Sequence, residues 1–453
     1  MAKLTLKQAA LWCGGRVDPK YENVEFLGAN NDTRLIQPGQ LFIVLQGARD
    51  GHDFIPQAME KGAAAVLCSR VVGDYPAIYV EDPRTALGDI ARQERRRLGC
   101  KAVGVTGSVG KSTTKEMVAA VLEGSFRVAK TPANHNNDIG MPMAILAMEE
   151  DTEVAVLEMG MNHFREMAYL SSVGTPDIAV IVNIGTMHIE HLGSIEGIRQ
   201  AKLEILEGMA EESDLILNGD DGMLKFLPDK PVQRVTYFAS GENPGVVHAN
   251  NIRENDGKLS FDVTSPQGDF SVEMALEGKH FVPDAMAAIT VGLMLGVKPE
   301  QIRERLAMFR NMAGRQEIFE KNGFTIISDC YNAGPESMEA ALNVLKKKQG
   351  RRIAVLGDML ELGASADPEH YRIGGVAAEC ADLLFVFGPL SGRVREGALA
   401  GGMAEDRIRT YNSRDIMAQE LKALAIPGDV LLFKGSHGMH LELVLATFLK
   451  EEK

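Results

Sequence analysis

Residues 104–113 read Gly-Val-Thr-Gly-Ser-Val-Gly-Lys-Ser-Thr, and they combine the groups that hold a polyphosphate. The glycines at 104, 107 and 110 let backbone N–H groups turn inward around an anion, because a residue without Cβ tolerates positive φ. The apolar run from Ala102 to Val105 enters this turn and a helix leaves it, so the positive end of the helix dipole joins the cradle. Thr106, Gly107, Ser108, Val109, Gly110 and Thr113 then surround the phosphates of a nucleotide. Lys111 reaches the β- and γ-phosphates, and the Ser112 hydroxyl holds a Mg²⁺ ion. The general P-loop pattern asks for glycine at position 105, where this chain has Val105.

Other candidates fall at expected strand ends, where ligands gather in alternating β/α architectures. Glu158 closes a buried-type strand, and a carboxylate there, facing a phosphate site, is what a Mg²⁺ ligand requires. His188 lies just past a further strand, which suits a role at a second ion. Lys202 sits inside a helix and by spacing alone reads as a solvated lysine. Asp32-Thr33-Arg34 precedes an apolar strand and reads as turn chemistry with a capping aspartate as readily as it reads as a site.

The form Thr106-Gly-Ser-Val-Gly-Lys-Ser-Thr-Thr-Lys-Glu116 resembles the Mur ligase family, the ATP-dependent amide-bond-forming enzymes of peptidoglycan precursor synthesis. Within it, the chain is most similar to the branch that adds D-alanyl-D-alanine to UDP-N-acetylmuramoyl-tripeptide. The resemblance implies that Asp32, Thr33 and Arg34 belong to a domain gripping the UDP-sugar end of that substrate. It implies that the loop Asn134-His-Asn-Asn137 contributes Asn134 to substrate and Asn137 to the γ-phosphate. Glu158 and His188 become metal ligands, and Lys202 becomes a carbamylated lysine helping to fix a second Mg²⁺. Arg315 goes to the ATP phosphates, Asp329 to the ribose and Asn332 to the incoming dipeptide.

The stretch Gly357-Asp-Met-Leu-Glu-Leu-Gly363, followed by His370, again resembles the dipeptide-adding branch, and an Asp-Asn-Pro-Arg sequence of the diamino-acid-adding branch is absent. The chain departs from the family pattern at Phe281 and Asp284, where asparagines are common, at Gly334 and at His437. Asp284 falls where the nucleotide is touched, and a carboxylate there accepts hydrogen bonds but does not donate them. The rival readings are a related ligase adding a diamino acid to the UDP-dipeptide, and a nucleotide-binding regulator without ligase activity.

These residues need a scaffold of strands with helices between them. The 453 residues suffice for three α/β domains. Residues 1–97 form a small substrate-binding domain, 98–312 a P-loop parallel-sheet domain with an antiparallel extension between 232 and 276, and 313–453 a Rossmann-like domain closing over ATP and the dipeptide. Arg95 to Lys101 reads as the first linker. Strands are expected near 324–328, 352–356, 383–387 and 429–433 in the last domain. A net charge of −14 argues against a nucleic-acid partner. Five isolated cysteines fit a reducing compartment. The opening Met-Ala-Lys-Leu-Thr-Leu lacks the apolar stretch of a secretory leader, and no run approaches a membrane span, so the sequence reads as cytoplasmic; a monomer is expected.

Overall fold

The computed structural model describes residues 3–450 apart from 72, 228, 242, 244 and 256. Its centre is a nine-stranded sheet. The P-loop strand Lys101–Thr106 lies between Val154–Glu158 and Ile178–Ile181, all three parallel. Residues 102–106, 154–158 and 178–181 are buried throughout, as expected where helices cover both faces of a parallel sheet. Register sets Val105 opposite Glu158 and Thr106 opposite Ile181. The three carboxyl ends are therefore flush, and the loops leaving them meet at one edge. Val128–Lys130 borders the sheet on one side.

On the other side the sheet continues through Asp214–Asn218, Arg234–Ser240, Val247–Asn255, Lys258–Thr264 and Phe270–Met274. The antiparallel extension expected over 232–276 is only half so. Arg234–Ser240 and Val247–Asn255 join in parallel, and antiparallel pairing begins with Lys258–Thr264. Alternating burial reports one wet face and is the same for either strand direction, which is why the pattern misled.

The second large sheet has six strands in the order Glu317–Lys321, Phe324–Asp329, Val430–Lys434, Arg352–Gly357, Leu383–Phe387, Ile408–Tyr411. All neighbours are parallel except the edge pair Glu317–Lys321 and Phe324–Asp329. The four inner strands match the sequence expectation, and both edges are additional. Edge strands are half-exposed and show no continuous apolar run.

An N-terminal five-stranded sheet runs Arg16–Val17, Ala77–Tyr79, Ala65–Cys68, Leu41–Ile43, Ala29–Asn30. From it the chain enters the helix Pro83–Leu98, whose first turn is capped by Asp82 accepting from the Arg84 and Thr85 N–H groups. The basic end of this helix is no exposed linker. Arg95 is 5 % exposed and pairs with Asp177 at 3.0 Å, while Glu94, 1 % exposed, pairs with Arg97 at 2.7 Å. One apolar cluster runs from Leu4 through Leu87 and Ile90 to Leu157, Ile181 and Leu224, so the N-terminal unit and one face of the nine-stranded sheet share a core. None of the described helices is long and apolar enough to cross a membrane.

Candidate functional site

The flush strand ends open onto a cavity of about 980 Å³, walled on the far side by the six-stranded unit. At its floor, Gly110 has φ 81° and caps the helix Lys111–Leu122 without a side chain. A Cβ there would stand 2.4 Å from Asp284 Oδ1, so glycine is required by backbone angle and by space. Asn183, from the loop after Ile178–Ile181, braces the turn. Its Oδ1 accepts from Ser108 N at 3.0 Å and Val109 N at 2.9 Å, and its Nδ2 donates to Val109 O at 3.0 Å. Those two amides are thereby engaged, and the donors open to an anion are those of the first helical turn. Thr106 and Thr113 are buried beside them.

Lys111 folds back over the turn, its Nζ donating to Gly107 O at 2.8 Å and Ser108 O at 3.1 Å. Burial lowers its pKa, and the Glu158 charge opposes that shift in part. Glu158 is 1 % exposed. Its Oε1 accepts from Asn136 Nδ2 at 2.8 Å, its Oε2 has no hydrogen bond, and the nearest cation, Lys115 Nζ, is 3.8 Å away. A buried carboxylate oxygen without a donor is costly, and a cation would satisfy it. Ser112, 2 % exposed, lines the same cavity. These groups fit a divalent ion, but among the described residues no three His, Cys, Asp or Glu side chains form a metal cluster on their own. Such a site would need substrate phosphates to complete it, as Mg²⁺ sites commonly do.

His188 also lines the cavity, on a backbone of φ 66°. Its Nδ1 lies 2.6 Å from Glu361 Oε2, a close contact that is off the line of a hydrogen bond. Burial pushes the imidazole pKa down, partly offset by Glu361. Lys202 is not a solvated helix lysine: it is 1 % exposed, and burial together with the charge of Lys111 drives its pKa far below the ordinary range.

From the six-stranded unit, the Arg315 guanidinium stacks 3.7 Å from the centre of the Tyr331 ring and faces the cavity. Asp329 accepts from Lys434 Nζ at 2.5 Å and from Gln316 N at 3.1 Å. Asn332 lines the cavity, with its Oδ1 accepting from Ala333 N. Asp284 is 4 % exposed, and Thr114 Oγ1 donates to its Oδ1 at 2.8 Å. Burial pushes its pKa up to about 8, against the Thr114 hydrogen bond and the Arg315 charge. Burial thus favours the neutral form of a group that the sequence reads as an ionised acceptor, and the neutral form carries one O–H donor beside its acceptor oxygen.

Asn137 lines the cavity, but its Oδ1 accepts from Ile139 N and Gly140 N, capping the following helix. Asn134 is exposed and stands outside the cavity lining. Asp32, Thr33 and Arg34 form a separate cluster: Arg34 Nη2 donates to Asp32 Oδ2 at 2.6 Å, which brings the carboxyl to about 2, and Thr33 Oγ1 donates to Gln57 Oε1 at 2.8 Å. Sequence reasoning passed over Asn136 and Asn183 as individual site residues, although both stand in polar loops, that of Asn183 following a buried strand. Glu361 stood inside the Gly357–Gly363 stretch that carries the resemblance, with no role of its own assigned, and Glu336 carried no local signal.

Three family models match this chain: the Mur ligase family, catalytic domain, over residues 24–95; the Mur ligase middle domain over 105–292; and the Mur ligase, glutamate ligase domain, over 314–437. The UDP-N-acetylmuramoyl-tripeptide–D-alanyl-D-alanine ligase of Bacillus subtilis is 40 % identical over 99 % of this chain and 99 % of its own. The chain belongs to the Mur ligase family. A crystal structure of MurF from Acinetobacter baumannii superposes with a TM-score of 0.89 at 29 % identity, covering all of both chains. A MurF ligase from Thermotoga maritima in complex with ADP gives 0.82 at 29 % identity, over 94 % of this chain and 97 % of that one. The Mur ligase middle-domain match spans the P-loop, Glu158, His188 and Lys202, and the glutamate ligase match holds Arg315, Asp329 and Asn332.

Proposed function

We propose that this chain is an ATP-dependent ligase that joins D-alanyl-D-alanine to UDP-N-acetylmuramoyl-tripeptide in the supply of peptidoglycan precursors. End-to-end similarity to a relative of that name is the observation that carries the reading. Its geometric support is a phosphate cradle with an orphaned buried carboxylate oxygen, roofed by an arginine from another unit.

In this reading the tripeptide's terminal carboxylate attacks the γ-phosphorus of ATP, giving an acyl phosphate and ADP. The amine of the dipeptide attacks the acyl carbon, and the tetrahedral intermediate expels inorganic phosphate as the amide forms. Lys111 leaves the Gly107 and Ser108 carbonyls for the phosphates, and Arg315 neutralises charge from the opposite wall. Asp284 faces the nucleotide as a neutral carboxyl, Asp329 the ribose, Asn137 the γ-phosphate, and Asn134 and Asn332 the peptide substrates. Asp32, Thr33 and Arg34 take the distant UDP end. Two Mg²⁺ ions would supply Lewis-acid charge neutralisation when bound, with Ser112, Glu158, His188 and a carbamylated Lys202 as their residues. A lysine attacks CO₂ as its neutral amine, the form that burial favours at position 202. Division at 97/98 and 312/313, a monomeric state and a cytoplasmic location complete the proposal.

The test is phosphate release from ATP and Mg²⁺ with UDP-N-acetylmuramoyl-tripeptide, with and without D-alanyl-D-alanine. Release requiring both, with the UDP-pentapeptide found by mass, is the expected result. Release with a UDP-dipeptide and a diamino acid instead would move the assignment to the neighbouring branch of the family.

A further inference from the structure

The loop between the P-loop edge and the helix Ile195–Leu203 is gripped from outside its own unit. Thr186 donates to Glu336 Oε1 through both its backbone N and its Oγ1, each at 3.0 Å. Two residues on, His188 Nδ1 meets Glu361 Oε2 at 2.6 Å. Two further on, the Glu190 backbone lies so near Gly363 that a Cβ there would be 3.2 Å from Glu190 Cα. Glu336, Glu361 and Gly363 all come from the six-stranded unit.

Glu361 is held out toward His188 by a rigid mount. The loop after Arg352–Gly357 is pinned at Met359 N, which donates to His370 Nε2 at 2.9 Å, and at Leu360 N, which donates to Ser436 Oγ at 2.9 Å. Asp358 fastens its base, accepting from Leu390 N at 3.0 Å through Oδ2 and from Ser436 N at 3.1 Å through its carbonyl. Glu361 itself has φ 63°, a left-handed backbone that is strained for a residue with a side chain. Strain kept at a contact between units points toward use.

We propose that Glu361 is a positioning residue for His188, accepting from Nδ1–H so that the Nε2 lone pair is left for the reaction site, and that it does so only when the six-stranded unit is seated. A histidine that ligates through one nitrogen commonly gives its other N–H to a carboxylate, which fixes tautomer and ring angle. Here the carboxylate arrives from a different unit, so seating that unit and orienting the ring become one event. The imidazole Nδ1 has no other hydrogen-bond partner, and the Glu361 carboxylate at 2.6 Å is the acceptor that stands against it.

This inference rests on the reading of His188 given above, and its test is independent of turnover. In ligand-free full-length protein labelled with ¹⁵N-histidine, His188 is assigned by its loss in His188→Gln. Wild type should show the Nδ1–H tautomer, Glu361→Gln should keep it because an amide oxygen still accepts, and Glu361→Gly should lose it. Unchanged His188 ring signals in Glu361→Gly would overturn the proposal. In turnover, Glu361→Gly should lower kcat about 10- to 100-fold with little change in nucleotide KM, and Glu361→Gln should recover most of it. Glycine also relieves the left-handed strain, so the slow variant should melt at a higher temperature than wild type. A residue serving structure alone would lose stability and activity together. If wild type fails to release phosphate with the stated substrates, the ligase assignment falls, while the tautomer result stands or falls by itself.

Discussion

At 4 % exposure, with the Thr114 hydroxyl donating to it, the Asp284 carboxyl is pushed by burial toward its protonated form. Because its folded pKa of about 8 lies above the ordinary carboxylate range, the folded state binds the extra proton throughout that interval. Stability therefore falls as pH climbs from the unfolded value toward 8, by up to about 1.4 kcal/mol per pH unit, and then levels off. Asp284→Asn should flatten this slope, and melting curves of both proteins between about pH 5 and pH 9 would show whether it does. Nucleotide affinity should weaken above pH 8 in wild type and hold in the variant. Lys111 belongs to the same scale: Lys111→Ala should cut phosphate release about 10²- to 10³-fold, the loss typical of removing a transition-state charge partner. Lys111 could be read from spacing because phosphate chemistry forces lysine beside the last glycine of the turn. The roles of Asn136, Asn183 and Glu361 could not, although Glu361 stood in a stretch carrying the resemblance, since their partners are distant in sequence and an Asn or Glu in a loop has many ordinary uses.

Helices and strands fix where these groups stand. The left-handed Gly110 joins strand to helix with Asp284 packed against it, so Gly110→Ala adds about 1–2 kcal/mol of backbone strain plus a clash. Its expected result is at least a tenfold loss of ATP affinity by titration calorimetry with the fold intact by circular dichroism. Lys434 and Asp329 end neighbouring parallel strands in register and pair at 2.5 Å, with the lysine 2 % exposed. Lys434→Met would strand the carboxylate and cost about 3–5 kcal/mol, seen as a marked drop in melting temperature. The inner strands of both large sheets were legible because burial on two faces writes a continuous apolar run. Edge strands Glu317–Lys321 and Ile408–Tyr411, and the direction of Arg234–Ser240, were not, since half-exposed strands carry only alternation.

Across the whole molecule, apolar packing and polar contact are divided unequally. The core that begins at Leu4 continues into the nine-stranded sheet, whereas the two clusters of the six-stranded unit, from Ile326 to Phe448, stay within it among the described residues. Contacts across that second boundary include Lys348 with Glu277 at 2.6 Å, Lys347 with Glu254, Gln316 with the Glu277 carbonyl, and the two glutamates gripping 186 and 188, beside close packing of Met187 on Gly334 and of Glu190 on Gly363. Water competes well for the polar ones and salt screens them. Small-angle scattering of the ligand-free protein should therefore show a larger radius of gyration as salt rises from about 0.05 to 0.5 M. A radius that stays constant would mean the seam is stiffer than its chemistry suggests. The same division decides where relatives can exchange parts. A chimera spliced near residue 312 transplants a unit with its own finished interior, and only the boundary contacts named above must be rematched. One spliced at the end of the helix Pro83–Leu98 would cut through a core shared by both sides and ask two foreign halves to fit.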